Sequence, residues 1–133
     1  MRLCWRNKCG LAALLALSSL TASCGPPQDI TWSSEVISPD GTWTATALTY
    51  GISGPGNNYL GTAVYLKRSG AQGRGYEVLG YPEDTSTWAR GKAPLILSWS
   101  DRQNMKITFR HVPNLDLQVS KFGTITISVD TSP

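Results

Sequence analysis

Residues 105–129 carry the feature that most restricts this chain, an alternation of apolar and polar side chains with a period of two. Met105, Ile107 and Phe109 are separated by Lys106 and Thr108, with Arg110 beyond. Leu115, Leu117 and Val119 are separated by Asp116 and Gln118, and Ile125, Ile127 and Val129 by Thr126 and Ser128. A period of two puts each apolar set on one side of a pleated strand, whereas a helix would scatter it around its circumference. The three runs are expected to build one apolar face, the last two as a terminal hairpin turning at Lys121, Phe122 and Gly123. No long amphipathic 3.6-residue pattern and no internal repeat competes with that reading.

Upstream, runs rich in β-branched and aromatic residues are punctuated by Gly, Pro, Asn and Asp, and strands are expected at residues 30–38, 42–50, 61–68, 76–81 and 95–100. Pro39, Asp40 and Gly41 supply a fixed φ, an Asx hydrogen bond and a tolerant glycine, which together make a tight turn. In the strand that follows, Trp43, Ala45 and Ala47 share one face and Thr44, Thr46, Leu48 and Tyr50 the other. With 133 residues, 41% hydrophobic, the chain has material for one core. The expected class is all-β: a single small antiparallel barrel, or a sandwich-like meander of about seven or eight strands.

The first 23 residues have the anatomy of a secretory signal. Arg2, Arg6 and Lys8 give a basic start, residues 11–20 are apolar or small, and Thr21, Ala22 and Ser23 precede Cys24. The apolar run rises only about 15 Å as a helix, half of a hydrocarbon core, so a removed signal is favoured over a span. Leu20, Thr21, Ala22, Ser23 and Cys24 resemble the lipobox of bacterial lipoproteins, with Leu20 one position early. That resemblance implies cleavage before Cys24 and a lipid anchor on its thiol; ordinary cleavage after Ser23 is the alternative. Gly25 after the cysteine, in place of the Asp of the inner-membrane retention pattern, implies an outer-membrane lipoprotein facing the periplasm. The organisation expected is therefore a signal at residues 1–23, a lipidated cysteine and short tether at 24–29, and a β domain at 30–133.

Removing the signal also changes the chemistry that the composition allows. Of the 12 Lys and Arg, three leave with it, so the remaining basic and acidic residues balance at nine each. The basic footprint of a nucleic-acid binder is missing. Cys4 and Cys9 leave too, and Cys24 alone makes no internal disulfide. One histidine and no metal-ligand spacing argue against a zinc or calcium site, and no cofactor motif is present. His111, flanked by Arg110, Val112 and Pro113, reads as a surface residue at a strand end, and no nucleophile-elbow pattern accompanies it. Glu83 and Asp84 sit in a proline-led loop where adjacent carboxylates point apart and stay hydrated. The glycine-rich residues 51–58 lack the Lys-Ser/Thr ending and following helix of a phosphate loop, and read as a flexible loop.

Three further resemblances bear on role. Ser38, Pro39, Asp40, Gly41 and Trp43 resemble the opening of a β-propeller blade, but the chain is too short for a propeller. The same residues, with the glycine-rich bend, the Trp99 strand and the alternating strand to Phe109, resemble uncharacterised bacterial lipoproteins of a domain of unknown function. This implies a secreted β domain and carries no activity. Ser69, Gly70, Ala71 and Tyr76 are similar to a segment of lysozyme-inhibitor lipoproteins.

The segment at residues 82–94 is long for a compact domain and carries Trp88 beside Arg90 and Lys92, side chains enriched at binding hot spots. It is expected, with Asn57, Asn58 and Tyr59, to contact an envelope protein partner, unless Trp88 caps the end of the core. The function expected is a lipid-anchored periplasmic binding or interaction domain without catalytic activity. An inhibitor or immunity lipoprotein acting on a cell-wall hydrolase is the alternative, and a small hydrolase a third.

Overall fold

A computed structural model of the chain describes residues 28–83, 93–109 and 114–131. Cys24, Asp84, Trp88, Arg90, Lys92 and His111 therefore lie outside the described residues, and the expectations placed on them are not addressed by it. The described part is all-β. Its strands are β1 (Gln28–Ile37), β2 (Trp43–Gly54), β3 (Asn57–Arg68), β4 (Tyr76–Pro82), β5 (Leu95–Trp99), β6 (Asn104–Phe109), β7 (Leu117–Gln118), β8 (Lys121–Phe122) and β9 (Ile125–Thr131).

They form two sheets and no closed barrel. One sheet has the order β1-β2-β3-β4-β7, an antiparallel meander joined at its far edge by β7; the other has the order β5-β6-β9-β8. Facing apolar sides make the core. Ala45, Ala47, Val64, Leu66, Val78, Leu79 and Tyr81 of the first sheet pack against Leu95, Leu97, Met105, Ile107, Phe109, Ile125 and Ile127 of the second. The period of two produces this directly: β6 alternates buried Met105, Ile107 and Phe109 with partly exposed Lys106 and Thr108.

Several expectations are corrected. The terminal hairpin forms only as the short antiparallel pairing of Lys121 and Phe122 with Thr126 and Ile125 around Gly123, and residues 115–119 do not make its first arm. Leu117 and Gln118 pair with Gly80 and Leu79 on the free edge of β4, in the first sheet, and β9 instead runs parallel to β6. The edge of β4 offers unpaired backbone groups that the passing chain satisfies: the N–H groups of Asp116 and Val119 donate to the carbonyls of Gly80 and Val78. As a result Leu117 is turned outward while Leu115 and Val119 pack on the core. The first strand begins earlier than the expected residue 30, because Gln28 and Asp29 already pair with Ile52 and Gly51 in β1.

The glycine-rich residues 51–58 are not a loop but the end of a regular hairpin, in which Gly54 faces Asn57. Pro55 and Gly56, the latter at φ 80°, turn the chain in two residues, the residue chemistry of a type II turn.

Candidate functional site

The side of the first sheet turned away from the core carries an unusual group of side chains. Tyr50 and Ile52 of β2 alternate onto it, as do Tyr59, Gly61, Ala63 and Tyr65 of β3, and the register sets Tyr50 opposite Gly61 and Leu48 opposite Ala63. β4 adds Gly80 opposite Ala63 and Glu77 opposite Tyr65. Small residues thus form a floor and tyrosines stand around it. Leu48 and Ala63 are buried there, at 4% and 1% exposure, although no second sheet covers this side among the described residues.

Their geometry is specific. The ring of Tyr59 lies over Gly61, with its outer atoms 2.7 to 3.0 Å from the place where a Cβ would sit. Its centroid is 6.1 Å from that of Tyr50, the planes tilted by 46°. The Tyr65 hydroxyl donates to Glu77 Oε2 at 3.4 Å and also meets Arg74. The other carboxylate oxygen of Glu77 lies over Gly80.

Burial raises the pKa of Tyr59 above its ordinary 10.0, with the charges of Tyr50 and Asp116 adding to it. Burial and then Glu77 raise that of Tyr65. Both phenols are neutral hydroxyls at physiological pH, able to donate and to accept. The face thus presents aromatic rings, hydroxyls, one guanidinium and one carboxylate, the means for holding a polar surface in a fixed orientation.

On the core side of the same strands a polar group is buried. Thr49 Oγ1 and Thr62 Oγ1 are 2.7 Å apart, and Thr62 Oγ1 donates to Glu83 Oε1 at 2.6 Å. Tyr81 joins this network, and burial, followed by the charge of Glu83, raises its pKa well above the usual value. Glu83 is therefore not the free, hydrated carboxylate expected from its sequence position. β4 continues through Pro82, and the Glu83 N–H donates to the Leu60 carbonyl at 2.9 Å, which fixes the side chain against Thr62.

The Ser38-Pro39-Asp40-Gly41 segment proves to be turn chemistry. Ser38 Oγ donates to Asp40 Oδ1 at 2.7 Å and accepts from the Trp43 N–H at 2.9 Å, and Gly41 adopts φ 72°. Its polar atoms are used within the turn. A second Asx turn faces it across a shallow open depression: Asp101 Oδ1 accepts from the N–H groups of Gln103 and Asn104 at 2.7 and 2.9 Å. Hydrogen bonding, from Ser38 in one turn and from Gln103 in the other, lowers the pKa of both aspartates below 3.8. No group of three or more His, Cys, Asp or Glu converges among the described residues.

Of the residues expected to contact a partner, Asn58 is exposed at the hairpin tip and Asn57 faces Gly54 beside it. Tyr59 belongs to the tyrosine face. Glu83 and Ala93, the described neighbours of the segment holding Trp88, Arg90 and Lys92, bracket it, and Glu83 is tied to Leu60 next to Tyr59. Tyr50, Tyr65, Arg74 and Glu77 were not singled out by sequence reasoning. A signal for β3 exists in the two-residue spacing of Tyr59, Gly61, Ala63 and Tyr65; the cross-strand register that adds Tyr50 and Glu77 has no local signature.

Comparison of the chain with protein-family models, with curated proteins and with solved structures gives no match.

Proposed function

We propose that this chain is a lipid-anchored interaction domain of the bacterial cell envelope, held through Cys24 at the outer membrane and facing the periplasm, that binds an envelope protein without turning it over. The observation that carries the reading is the tyrosine face. Tyr and Arg combine large contact area with hydrogen-bonding capacity and are enriched where protein interfaces concentrate their energy. Here three tyrosines, Arg74 and Glu77 converge on a floor of glycine and alanine, and the ring contact of Tyr50 with Tyr59 and the hydrogen bond from Tyr65 to Glu77 hold them in place before any partner arrives, which lowers the entropy lost on binding. The lipobox-like segment before Cys24, and the resemblance to uncharacterised lipoproteins, support the address.

The test combines anchor and contact. The N-terminal peptide of the protein purified from its own membranes is analysed by mass spectrometry, and a photoreactive side chain is placed at Tyr65 or, as control, at Arg102 in the turn beside Asp40. An acylated Cys24 and one cross-linked envelope protein from Tyr65, missing from Arg102 and lost with Glu77→Ala, is the expected result. An unmodified Cys24 would overturn the address, and equal cross-linking from both positions the contact face.

A further inference from the structure

The hairpin of β2 and β3 is free of charge from Trp43 to Leu66: no Asp, Glu, Lys, Arg or His lies between Asp40 and Lys67. Its tip also outruns its neighbours. The pairing of β4 stops with Pro82 opposite Gly61, and that of β1 starts with Gln28 opposite Ile52. The Ser53–Asn58 and Gly54–Asn57 pairs consequently have no flanking strand among the described residues. Asn57 stands four residues beyond Gly61, about 13 Å along the strand.

The N-terminal segment joins the sheet at this same place. Cys24 precedes Gln28 by four residues, and a chain of that length spans at most about 14 Å however it is arranged. An anchor on Cys24 thus holds the tip end of the sandwich against the membrane.

We propose that the tip of the β2–β3 hairpin, residues 52–58, is a bilayer-contacting finger that rests in the headgroup layer beside the anchor; this rests on the lipidation of Cys24 put forward above. Three properties fit the tip to that layer. It has no charge to strip of water, the largest penalty for entering the interface. Backbone groups directed across the hairpin are paired, and those directed outward meet the water and polar groups of the headgroup layer rather than hydrocarbon. Around its base Ile30 is 53% exposed and Ile52 half-buried, while Tyr50 and Tyr59 are phenols of the kind that settle at membrane interfaces. The charged turns with Asp40, Asp101 and Arg102 lie at the opposite end and stay in water. The sandwich stands with its tip on the bilayer, and the tyrosine face looks sideways along the membrane.

The full-length chain is produced in a bacterial host, purified from membranes and placed in phosphatidylethanolamine and phosphatidylglycerol vesicles after its N-terminal mass is measured. Acylation blocks the Cys24 thiol, so a nitroxide label reports from Ser53→Cys, from Asn58→Cys as a second position in the tip, or from Arg102→Cys at the far end. Circular dichroism checks that each variant is folded. In acylated protein the tip labels should be several-fold less accessible to a water-soluble nickel chelate than the Arg102→Cys label, and more accessible to dissolved oxygen. Equal chelate accessibility at both ends of acylated protein overturns the finger and leaves the anchor standing. A mass without acyl chains overturns both.

Discussion

Gly75 holds the backbone at φ 94°, and a Cβ there would come within 2.5 Å of the Leu66 carbonyl oxygen. Strain and collision with backbone act together, so Gly75→Ala is expected to lower the unfolding free energy by about 2 kcal/mol or more in chemical denaturation. Thr62 is demanding for a different reason. Its hydroxyl is shared by Thr49 and donates to Glu83, so Thr62→Val should cost about 1–3 kcal/mol by leaving a half-buried carboxylate without its donor. Replacing Glu83 by Gln in the same background should return part of that loss, which a double-mutant cycle measures. Individual roles such as these were only partly legible in the sequence. Asp40 and Gly41 announce their turn because the chemistry is local. Thr62 and Glu83 are 21 residues apart and acquire meaning only through the register of β3 and β4.

At the level of the element, the two Asx turns make pH a probe. Asp40 and Asp101 have folded pKa values below 3.8, so each favours the folded state when ionised. That stabilisation is complete well above pH 3.8, declines as the pH falls through 3.8, and is lost below the folded values. Thermal unfolding should therefore show a drop in midpoint on acidification through that window, reduced in the Asp40→Asn, Asp101→Asn double variant. Strands with strong alternation, β6 and β9, follow from their own residues. β7 does not, because its alternation suits either sheet and the free edge of β4 decides. The hairpin of residues 51–58 was hidden by its glycines, which usually mark loops; here Gly51 and Gly54 sit in paired strand and only Gly56 serves the turn.

The whole molecule depends on one interface between two sheets, with no disulfide among the described residues to reinforce it. Phe109 lies fully buried in it at the end of β6, its ring 5.4 Å from Tyr81 across the interface at 78°. Phe109→Ala should cost about 3–5 kcal/mol, a large share of a small domain's stability, and appear as a lower denaturant midpoint. The all-β class and the single core were legible from periodicity. The choice between a closed barrel and a two-sheet sandwich was not, since it depends on which strand edges meet. The parallel pairing of β6 with β9 has a further consequence in time. A ribosome delivers β9 after every other described strand, so the second sheet has no complete form until β9 has emerged. The meander of β1 to β4 is complete sooner, and Ile107 and Phe109 wait beside an open edge for their final neighbour. Folding of this protein should be slow, on the order of milliseconds to seconds as in other folds of distant pairings, and loss of β9 should be felt far more than its seven residues suggest.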